Sequence, residues 1–271
     1  MNYRRNDTNA ILLGQLHGLD ELPMPLFGAR DSLANRAISA LHSHPWAQLS
    51  YAVEGTLTVE TRQRRLIALP DRAVWIPPGV EHGVSASDGT RIGSIYLAAD
   101  LLPDRRCGVL RVSPLLRELI IEFGDIQINY DAGGADGRLA SVLLDRLAAA
   151  PCCQLDLPWP GHPGLRRICE VLSEHPGSTQ RMADFGARLG MSEKTMGRHF
   201  VAETGLTFRQ WRQRSRLLAS LPLLEAGMRI TDVAVECGYD SLSAFIASFR
   251  ELIGCTPGQY VQTRRMRRQS N

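Results

Sequence analysis

Residues 232–260 of the chain, DVAVECGYDSLSAFIASFRELIGCTPGQY, decide the fold of its carboxyl-terminal part. An earlier stretch, residues 184–211, reads DFGARLGMSEKTMGRHFVAETGLTFRQW and has the same organisation. Polar and aromatic positions match at a spacing of 49 residues, as in Phe200 and Phe249, and the matches just upstream have a spacing of 48. Such self-similarity indicates two copies of one supersecondary unit.

Each copy has the signals of a helix, a tight turn and a second helix. Gly190 and Gly238 can adopt the left-handed backbone conformation that ends the first helix. Ser192 and Ser241 offer an N-cap oxygen to the second helix. The pattern predicts two helix-turn-helix units, an arrangement whose second helix enters a major groove of DNA. The predicted units cover residues 182–203 and 230–253.

Apolar residues at helical spacing predict the buried side of each second helix. They are Met196 and Phe200 in the first copy and Leu242, Phe245, Phe249 and Leu252 in the second. Small residues, Gly186 and Ala234, occupy the positions at which the two helices of a unit must approach closely. Between the copies, residues 208–226 predict a connecting helix of roughly 28 Å. It would place the two reading helices about one turn of B-DNA, roughly 34 Å, apart.

Charge is distributed unevenly along the 271 residues. Residues 165–271 contain 16 Lys and Arg against 10 Asp and Glu, a net charge of +6, whereas residues 1–164 carry a net charge of −3. A basic part beside an acidic part is typical of a chain in which one module binds a polyanion and the other has a different task.

The carboxyl-terminal motifs resemble those of the AraC-type (AraC/XylS) transcription regulators. The resemblance covers roughly the last hundred residues and rests on motifs such as Gly205-Leu206-Thr207-Phe208, Gly238-Tyr239-Asp240-Ser241 and Gly254-Cys255-Thr256-Pro257. It implies a seven-helix DNA-binding domain in which a long helix joins two helix-turn-helix units. It also implies an N-terminal β-barrel that senses a small molecule or mediates dimerisation.

The same resemblance assigns DNA-reading positions to the second helix of the first unit. Lys194, Gly197 and Arg198 match family positions that contact DNA. Lys194 and Arg198 can donate hydrogen bonds to guanine or to phosphates, whereas Gly197 can do neither. The first unit is therefore expected to make fewer reading contacts than its relatives make.

In the second unit the corresponding positions are Ser243, Ala244 and Ala247. Only Ser243 can donate or accept a hydrogen bond, so this helix is predicted to read DNA shape or thymine methyl groups. Phosphate anchors are predicted nearby, because a guanidinium and the free amides of a helix N-terminus both bind anions. These anchors are Arg250 and the backbone amides of Ser241 and Leu242.

The first part of the chain reads as short strands separated by turn residues, the pattern of a sheet sandwich or barrel. The strand-like runs are residues 48–53, 56–61, 65–69, 74–76, 82–86 and 91–97. Farther along, apolar residues return every three or four positions, which predicts helices over 113–123 and 137–150. Residues 151–164 contain four prolines and are predicted to be a linker.

The segment His42-Ser43-His44, Gln48 and the later residues 77–82 resemble the two motifs of cupin barrels. In metal-binding cupins, an H-x-H pair, a carboxylate and a distant histidine surround one divalent ion. Alternation along a strand would point both histidines of the pair into one barrel. Here Gln48 stands in the carboxylate position, and its neutral amide is a weak ligand.

Three interpretations of this constellation stay open. The favoured one is a metal-free effector pocket, because aromatic walls with a few polar groups suit a small organic ligand. Its lining would be His42, His44, Trp46, Gln48, Tyr51, Trp75 and His82. The second is a divalent metal site on His42, His44 and His82. In the third, the histidines serve only packing and hydrogen bonding.

These patterns predict an α+β protein of two domains. A cupin-like β-barrel would cover residues 1–112, and a helical packing or dimerisation segment with the linker would cover 113–164. An all-α DNA-binding domain would cover 165–266, and a basic tail 267–271. The apolar run at residues 11–13 is far shorter than the roughly 18 residues of a membrane span, so a cytoplasmic protein with no membrane partner is expected.

The sequence therefore predicts a DNA-binding transcription regulator, not an enzyme, whose activity a small molecule in the barrel modulates. Double-stranded DNA and an effector are its predicted partners, with RNA polymerase and a second copy as further candidates, and no cofactor is predicted. An alternative is a metal-dependent cupin enzyme with an accessory DNA-binding domain, against which the missing carboxylate at Gln48 argues. A third reading is a thiol switch at Cys152-Cys153, although no C-x-x-C pair is present.

Overall fold

The structure is a computed structural model that describes residues 22–30, 41–86 and 90–269. Its contacts divide the chain into two compact units. Unit 1 comprises Met1–Arg62 and Leu66–Asp156, and unit 2 comprises Gln63–Arg65 and Leu157–Asn271. Within the described ranges, no helix is both long enough and apolar enough to cross a membrane.

In the described part of the chain, ten strands form two sheets. Their bounds are β1 (Leu26–Arg30), β2 (Ala47–Glu54), β3 (Leu57–Thr61), β4 (Arg64–Ala68), β5 (Arg72–Ile76), β6 (His82–Ala86), β7 (Arg91–Leu97), β8 (Gly108–Arg111), β9 (Cys152–Cys153) and β10 (Asp156–Pro158). The order is β1-β7-β2-β5-β8-β9 in the six-stranded sheet and β10-β4-β3-β6 in the four-stranded sheet. The chain passes repeatedly from one sheet to the other, as from β2 to β3 and from β5 to β6, so unit 1 has the two-sheet architecture that the turn spacing predicts.

Strand β2 separates apolar from polar side chains, because successive residues of a strand point to opposite faces. The residues on one face belong to the main hydrophobic core: Ala47, Leu49, Tyr51 and Val53. Two helices, α1 (Pro114–Phe123) and α2 (Ala135–Ala149), cover this core with Leu116, Ile120 and Leu143 among others. The alternate residues Gln48 and Ser50 are buried on the other face.

The segment predicted to be a linker is partly sheet. Strand β9 pairs Cys153 with Val109 and Cys152 with Leu110, and the Ile67 amide donates to the Leu155 carbonyl. The prolines of this segment misled the prediction, because none of them lies inside a central strand: Pro151 directly precedes β9, Pro158 ends the edge strand β10, and Pro160 and Pro163 follow it.

Apart from its residues of β4 and β10, unit 2 is built from helices. They are α3 (Pro163–Glu174), α4 (Met182–Leu189), α5 (Glu193–Thr204), α6 (Phe208–Glu225), α7 (Ile230–Glu236), α8 (Leu242–Ile253) and α9 (Pro257–Gln269). Gly190 and Gly238 have φ of +64° and +72° after α4 and α7. Ser192 and Ser241 cap α5 and α8 by accepting from the backbone three residues ahead. The two helix-turn-helix units are thus α4 with α5 and α7 with α8.

The buried side of α8 differs from the prediction. Phe245, Phe249 and Ile253 are buried, at a regular spacing of four residues. Leu242 is 39% exposed, because it begins the helix and has no preceding turn to cover it, and Leu252 is half-buried. The prediction that these two leucines complete the buried stripe is therefore wrong.

Helix α6 is the scaffold on which both helix-turn-helix units are held. Near its start, the fully buried Trp211 donates from Nε1 to the Pro158 carbonyl at 2.7 Å. Near its end, the Glu225 side chain, which is 7% exposed, accepts from the Tyr260 hydroxyl at 2.8 Å and pairs with Arg264 of α9 at 2.6 Å. Burial raises the pKa of Tyr260 well above its ordinary value, so the phenol stays a neutral donor.

The two turns differ by one residue, which explains the change in spacing between the copies. A methyl group on Gly186 would lie 2.7 Å from the Met191 carbonyl oxygen, closer than any real contact allows. In the second unit Ala234 occupies the matching position, and the turn there has an additional residue. The unit with the longer turn therefore has an alanine at this position, whereas the unit with the shorter turn has room only for glycine.

We expect opposite effects from alanine at two glycines of the first unit. Gly186→Ala should lower the free energy of unfolding of unit 2 by about 1–3 kcal/mol, because the turn backbone must move. Gly197→Ala, in helix α5, should raise that free energy by about 0.5–1 kcal/mol, because the added methyl group would make only an ordinary contact, 3.9 Å from Met182 Sδ. Urea denaturation of the full chain measures both, and equal effects would contradict the close approach at Gly186.

Candidate functional sites

Three histidines of unit 1 converge on one point. His42, His44 and His82 each offer a ring nitrogen, and these nitrogens lie within 4.8 Å of one another. The ring centroids are 4.3 Å apart for His42 and His82 and 5.1 Å apart for His44 and His82. His82 is fully buried, His44 is buried and His42 is half-buried. We call this group the histidine cluster.

Backbone pairing between distant parts of the chain builds the cluster. His42 and His82 form an isolated bridge, in which each amide donates to the other carbonyl at 3.0 and 2.8 Å. The Gly79 amide donates to the His44 carbonyl at 2.9 Å. The expectation that His42 and His44 share a strand is wrong, since β2 begins only at Ala47. The long-range bridge, rather than strand alternation, brings the rings together.

Hydrogen bonds fix the orientation of two of the rings. His44 Nδ1 lies 2.8 Å from the Trp46 carbonyl oxygen, and His82 Nδ1 lies 2.8 Å from the Val80 carbonyl oxygen. A carbonyl only accepts, so each Nδ1 carries the proton. In a neutral ring the lone pair is then on Nε2, which is the arrangement that second-shell carbonyls impose on metal-binding histidines.

A buried polar row extends from the cluster along β2. His44 Nε2 lies 3.0 Å from Gln48 Oε1, and Gln48 Nε2 lies 2.9 Å from Ser50 Oγ. Two hydrogen-bonding patterns satisfy this geometry. A charged His44 donates to Gln48, whereas a neutral His44 accepts from a Gln48 amide turned by half a rotation, which then accepts from Ser50. In both patterns Gln48 occupies Nε2 of His44.

Two further polar residues of this interior face were missed by the sequence analysis. The register pairs Ser94 with Ser50 and Tyr96 with Gln48. Desolvation raises the pKa of the Tyr96 phenol to about 12, against a smaller lowering by its hydrogen bond with Ser94. Alternation within β7 groups these two residues with each other, but only the register places them beside Gln48.

Trp46 forms one wall beside the cluster. Its ring stacks on His44 with centroids 5.1 Å apart and planes 8° apart. It belongs to a second small core with Phe27 and Tyr96. Within the described part of the chain, its buried Nε1–H has no hydrogen-bond partner. Such a donor is costly to leave unsatisfied and suits an acceptor on a ligand.

Tyr51 and Trp75 do not belong with the histidines. Both lie on the helix-covered face of the sheet, in the core with α1 and α2. Tyr51 donates to the Pro70 carbonyl at 2.5 Å, and Trp75 donates to the Arg105 carbonyl at 3.2 Å. Including them in the predicted pocket was wrong, because an odd separation from Gln48 puts Tyr51 on the opposite face of β2.

The donors of the histidine cluster fit a divalent transition metal ion. Imidazole nitrogens suit zinc, copper, iron and nickel, and three imidazoles are a recurrent protein ligand set for zinc. The fit differs from the cupin pattern at Gln48, since an amide stands where a carboxylate would add charge and affinity.

In unit 2, helix α5 presents an exposed basic face. Lys194 and Arg198 are exposed, while Met196 and Phe200 are buried on the other side. Gly197 lies between the two cations, and a methyl group added there would lie 3.9 Å from Met182 Sδ. The three DNA-reading positions predicted for this helix therefore share one accessible side.

A groove of about 740 Å³ runs along this side of the first unit. Its lining comes from α5 and from the starts of α4 and α6: Met182, Glu193, Lys194, Gly197, Arg198, Val201, Ala202, Thr207, Phe208 and Arg209. Val201 and Arg209 were not among the predicted site residues, although Val201 is a 43% exposed apolar residue on a basic helix. The groove combines an apolar floor with cationic margins.

Helix α8 presents a nearly uncharged face. Ser243, Ala244, Ala247 and Arg250 are all exposed, as is the N-cap Ser241. Arg250, in the last turn, is the only cation of this helix. The two second helices therefore differ in charge although their folds match.

The arginines of α6 have different tasks. Arg212 donates to the Ser178 and Gln180 carbonyls, and Arg216 donates to the Pro176 and Ser178 carbonyls. Both hold the loop between α3 and α4. Desolvation, followed by repulsion from Arg216, lowers the pKa of Arg212. Arg209, by contrast, borders the groove.

The cysteines are all free thiols. Burial raises the pKa of Cys237 to about 11 and that of Cys169 still further, so neither is a reactive thiolate at neutral pH. Cys152 is exposed and Cys153 half-buried in β9. Neighbours in a strand point to opposite faces, so these two thiols cannot bond to each other while β9 is intact.

Comparison with known proteins assigns both units. Residues 24–122 match the family model of the AraC-like ligand binding domain, and residues 185–263 match that of the helix-turn-helix domain. The HTH-type transcriptional regulator NimR of Escherichia coli (strain K12) is 36% identical over 225 residues, which are 82% of this chain and 82% of NimR. The virulence regulon transcriptional activator VirF of Yersinia enterocolitica is 33% identical over 198 residues, 70% of this chain and 72% of VirF.

Among solved structures, the DNA-binding domain of AdpA in complex with a target DNA is 30% identical. The match covers 39% of this chain and 96% of that chain, with a TM-score of 0.37.

The division of tasks among the α6 arginines gives a prediction. Arg212→Ala should lower the free energy of unfolding of unit 2 by about 1.5–3 kcal/mol, because it removes charge-assisted hydrogen bonds to the loop. Arg209→Ala, the matched control, should change it by less than about 0.5 kcal/mol. Urea denaturation of both variants is the measurement, and a stable Arg212→Ala would show that the loop does not depend on this brace.

Proposed function

The chain belongs to the AraC family of transcription regulators, and we propose that it reads one operator with both helix-turn-helix units under the control of a ligand in unit 1. The observation that carries this proposal is the duplicated unit with a basic second helix in its first copy. The family consists of regulators, which favours this function over the alternative of a metal-dependent enzyme.

In the proposed complex, α5 supplies direct reading of bases. Lys194 and Arg198 donate to guanine or to phosphates from the accessible side of the helix. Gly197 between them adds no hydrogen bond. The apolar floor that includes Val201 suits a thymine methyl group, and Arg209 at the margin suits a phosphate.

Helix α8 contributes reading of another kind. Ser243 is the one hydrogen-bonding side chain among its predicted reading positions, and Ala244 and Ala247 can contact thymine methyl groups. Arg250 and the amides at Ser241 and Leu242 anchor phosphates. Specificity in this half-site then comes mainly from shape and methyl contacts.

The connecting helix supports a reading of two successive grooves. Helix α6 has 18 residues and is about 27 Å long at 1.5 Å per residue. A spacer of this length is compatible with second helices about one turn of B-DNA, roughly 34 Å, apart. Pro222 lies inside α6 and removes one hydrogen bond from its last turns.

The ligand of unit 1 is proposed to bind at the interior end of the polar row. His42, His44, Trp46, Gln48 and His82 remain from the predicted pocket, and Ser50 and Tyr96 join them through the register. Trp46 offers a buried donor there. A ligand that satisfies this donor or displaces Gln48 would change the packing of β2.

Further partners and the location are part of the proposal. Operator binding places the protein in the cytoplasm, and contact with RNA polymerase follows if it activates transcription. Leu115 of α1 and Val142 of α2 are 54% and 44% exposed, which supports a homodimer through these helices.

Arg198 tests the DNA interface. Arg198→Ala should weaken specific operator binding by about 1–3 kcal/mol, because it removes a base or phosphate contact. The operator is obtained by selecting sequences from random DNA with the full chain, and gel shifts at fixed salt concentration give the affinity. Arg106→Ala, at an exposed loop position of unit 1, removes the same charge outside both proposed interfaces and should leave the affinity unchanged. Equal affinities of wild type and Arg198→Ala would falsify the assignment.

The dimer proposal has its own test. Leu115→Glu and Val142→Glu together should convert a dimer into a monomer, because charges cannot be buried unpaired in an interface. Light scattering at one protein concentration measures the mass. Val235→Glu, at a 73% exposed site of unit 2, is the control. A monomeric wild type sinks the proposal.

A further inference from the structure

We propose that the histidine cluster is a sensing site for a divalent transition metal ion, and that Gln48 is a displaceable latch that lowers its affinity for the ion. The inference rests on the proposed regulatory function and names the ligand class of its sensing unit. The inference does not require the alternative function, a metal-dependent enzyme.

Geometry supports an ion at this point. The three ring nitrogens already lie within 4.8 Å of one another, so small ring movements bring them to one centre. The Trp46 and Val80 carbonyls accept from the Nδ1–H groups of His44 and His82, so Nε2 is the atom of each ring that would coordinate an ion. These carbonyls lie outside the donor set and orient it, as second-shell groups do.

Burial favours an ion over a bulky organic ligand. Gln48 is 3% exposed, and Ser50, His82 and Ser94 are fully buried. The interior beside the cluster is therefore filled by side chains, as in small barrels. An ion between three imidazoles needs no cavity of its own, whereas an organic molecule would have to displace part of the core.

Gln48 distinguishes this site from a permanent metal centre. Its amide occupies His44 Nε2, whatever the protonation of the ring, and its other end is held by Ser50. His44 can coordinate an ion only after this hydrogen bond breaks. The ion then competes with the amide, and no carboxylate charge compensates for the loss. The site is therefore expected to exchange its ion with the solution rather than to retain it permanently.

Breaking the hydrogen bond between Gln48 and His44 changes β2 at a point where the strand packs against the core. Gln48 lies between Ala47 and Leu49, whose side chains point into the core with α1 and α2. Release of Gln48 from His44 therefore alters a strand that is packed on both faces. This gives the bound ion a route to the conformation of unit 1.

The test uses the full chain without a histidine tag, stripped of metal by a chelator. Titration with Co²⁺, followed by visible absorption, reports nitrogen coordination, and competition between Zn²⁺ and a chromophoric chelator reports affinity. The wild type should bind one ion per chain. His42→Ala should bind at least tenfold more weakly. His42 is half-buried, so its removal leaves the core intact. His175→Ala, at the exposed end of α3, is the matched control and should bind like wild type.

Variants of the latch separate it from a ligand. Gln48→Leu keeps the size and removes the amide, so it should tighten Zn²⁺ binding about fivefold. Ser50→Ala frees the other end of Gln48 and should tighten binding in the same direction with less disturbance of the core. Weaker binding by both variants would show that Gln48 is a ligand and would overturn the latch. Binding no stronger in wild type than in His42→Ala would overturn the site.

A second arm tests sensing. With DNA selected by the full chain, saturating Zn²⁺ should change the operator affinity of the wild type at least threefold and leave that of His42→Ala unchanged. Metal binding without a change in operator affinity would overturn the sensing role. The metal titration is done without DNA, so a failure to bind metal would not count against the proposed operator binding. Failure to select any DNA would instead count against the proposed function.

Discussion

A strand cannot present neighbouring residues to the same side, and unit 1 depends on this constraint at β2. Its odd-numbered residues, from Ala47 to Val53, join the core beneath α1 and α2. Its even-numbered residues Gln48 and Ser50 carry hydrogen bonds on the other face. The strand is buried on both sides, so a polar row survives inside the unit only because its members bond to one another. The alternation of side chains along β2 therefore produces both the apolar packing on one face and the candidate ligand site on the other.

The helical unit follows from the sequence more completely than the sheet unit. Its signals are local: Gly190 and Gly238 end helices, Ser192 and Ser241 begin them, and the copies confirm each other. The interior of unit 1 depends on pairing between distant residues, such as the bridge of His42 with His82 and the register of Gln48 with Tyr96. No local pattern fixes such a register. The error at Tyr51 was avoidable, since parity along β2 separates it from Gln48, whereas Ser94 could not be placed without the structure.

Duplication has given two units of one fold with different surfaces. The first carries Lys194 and Arg198 on its second helix, and the second carries small and apolar side chains there with Arg250 at the end. Charge interacts with any phosphate, whereas close contact depends on the shape of the groove. In the proposed complex the first unit would supply most of the salt-dependent attraction, and the second would supply discrimination that salt affects less.

The ion pair between Glu225 and Arg264 ties the last helix to the scaffold helix, and it makes that helix part of the fold rather than an appendage. A protease that cut between α8 and α9 would remove both partners of Glu225 at once. A carboxylate left alone in an apolar setting is strongly destabilising. The remaining fragment would have to loosen the end of α6 to hydrate it, which would also disturb the seat of α8. Resistance of residues 254–257 to limited proteolysis is thus a sensitive indicator of whether the second helix-turn-helix unit is properly assembled.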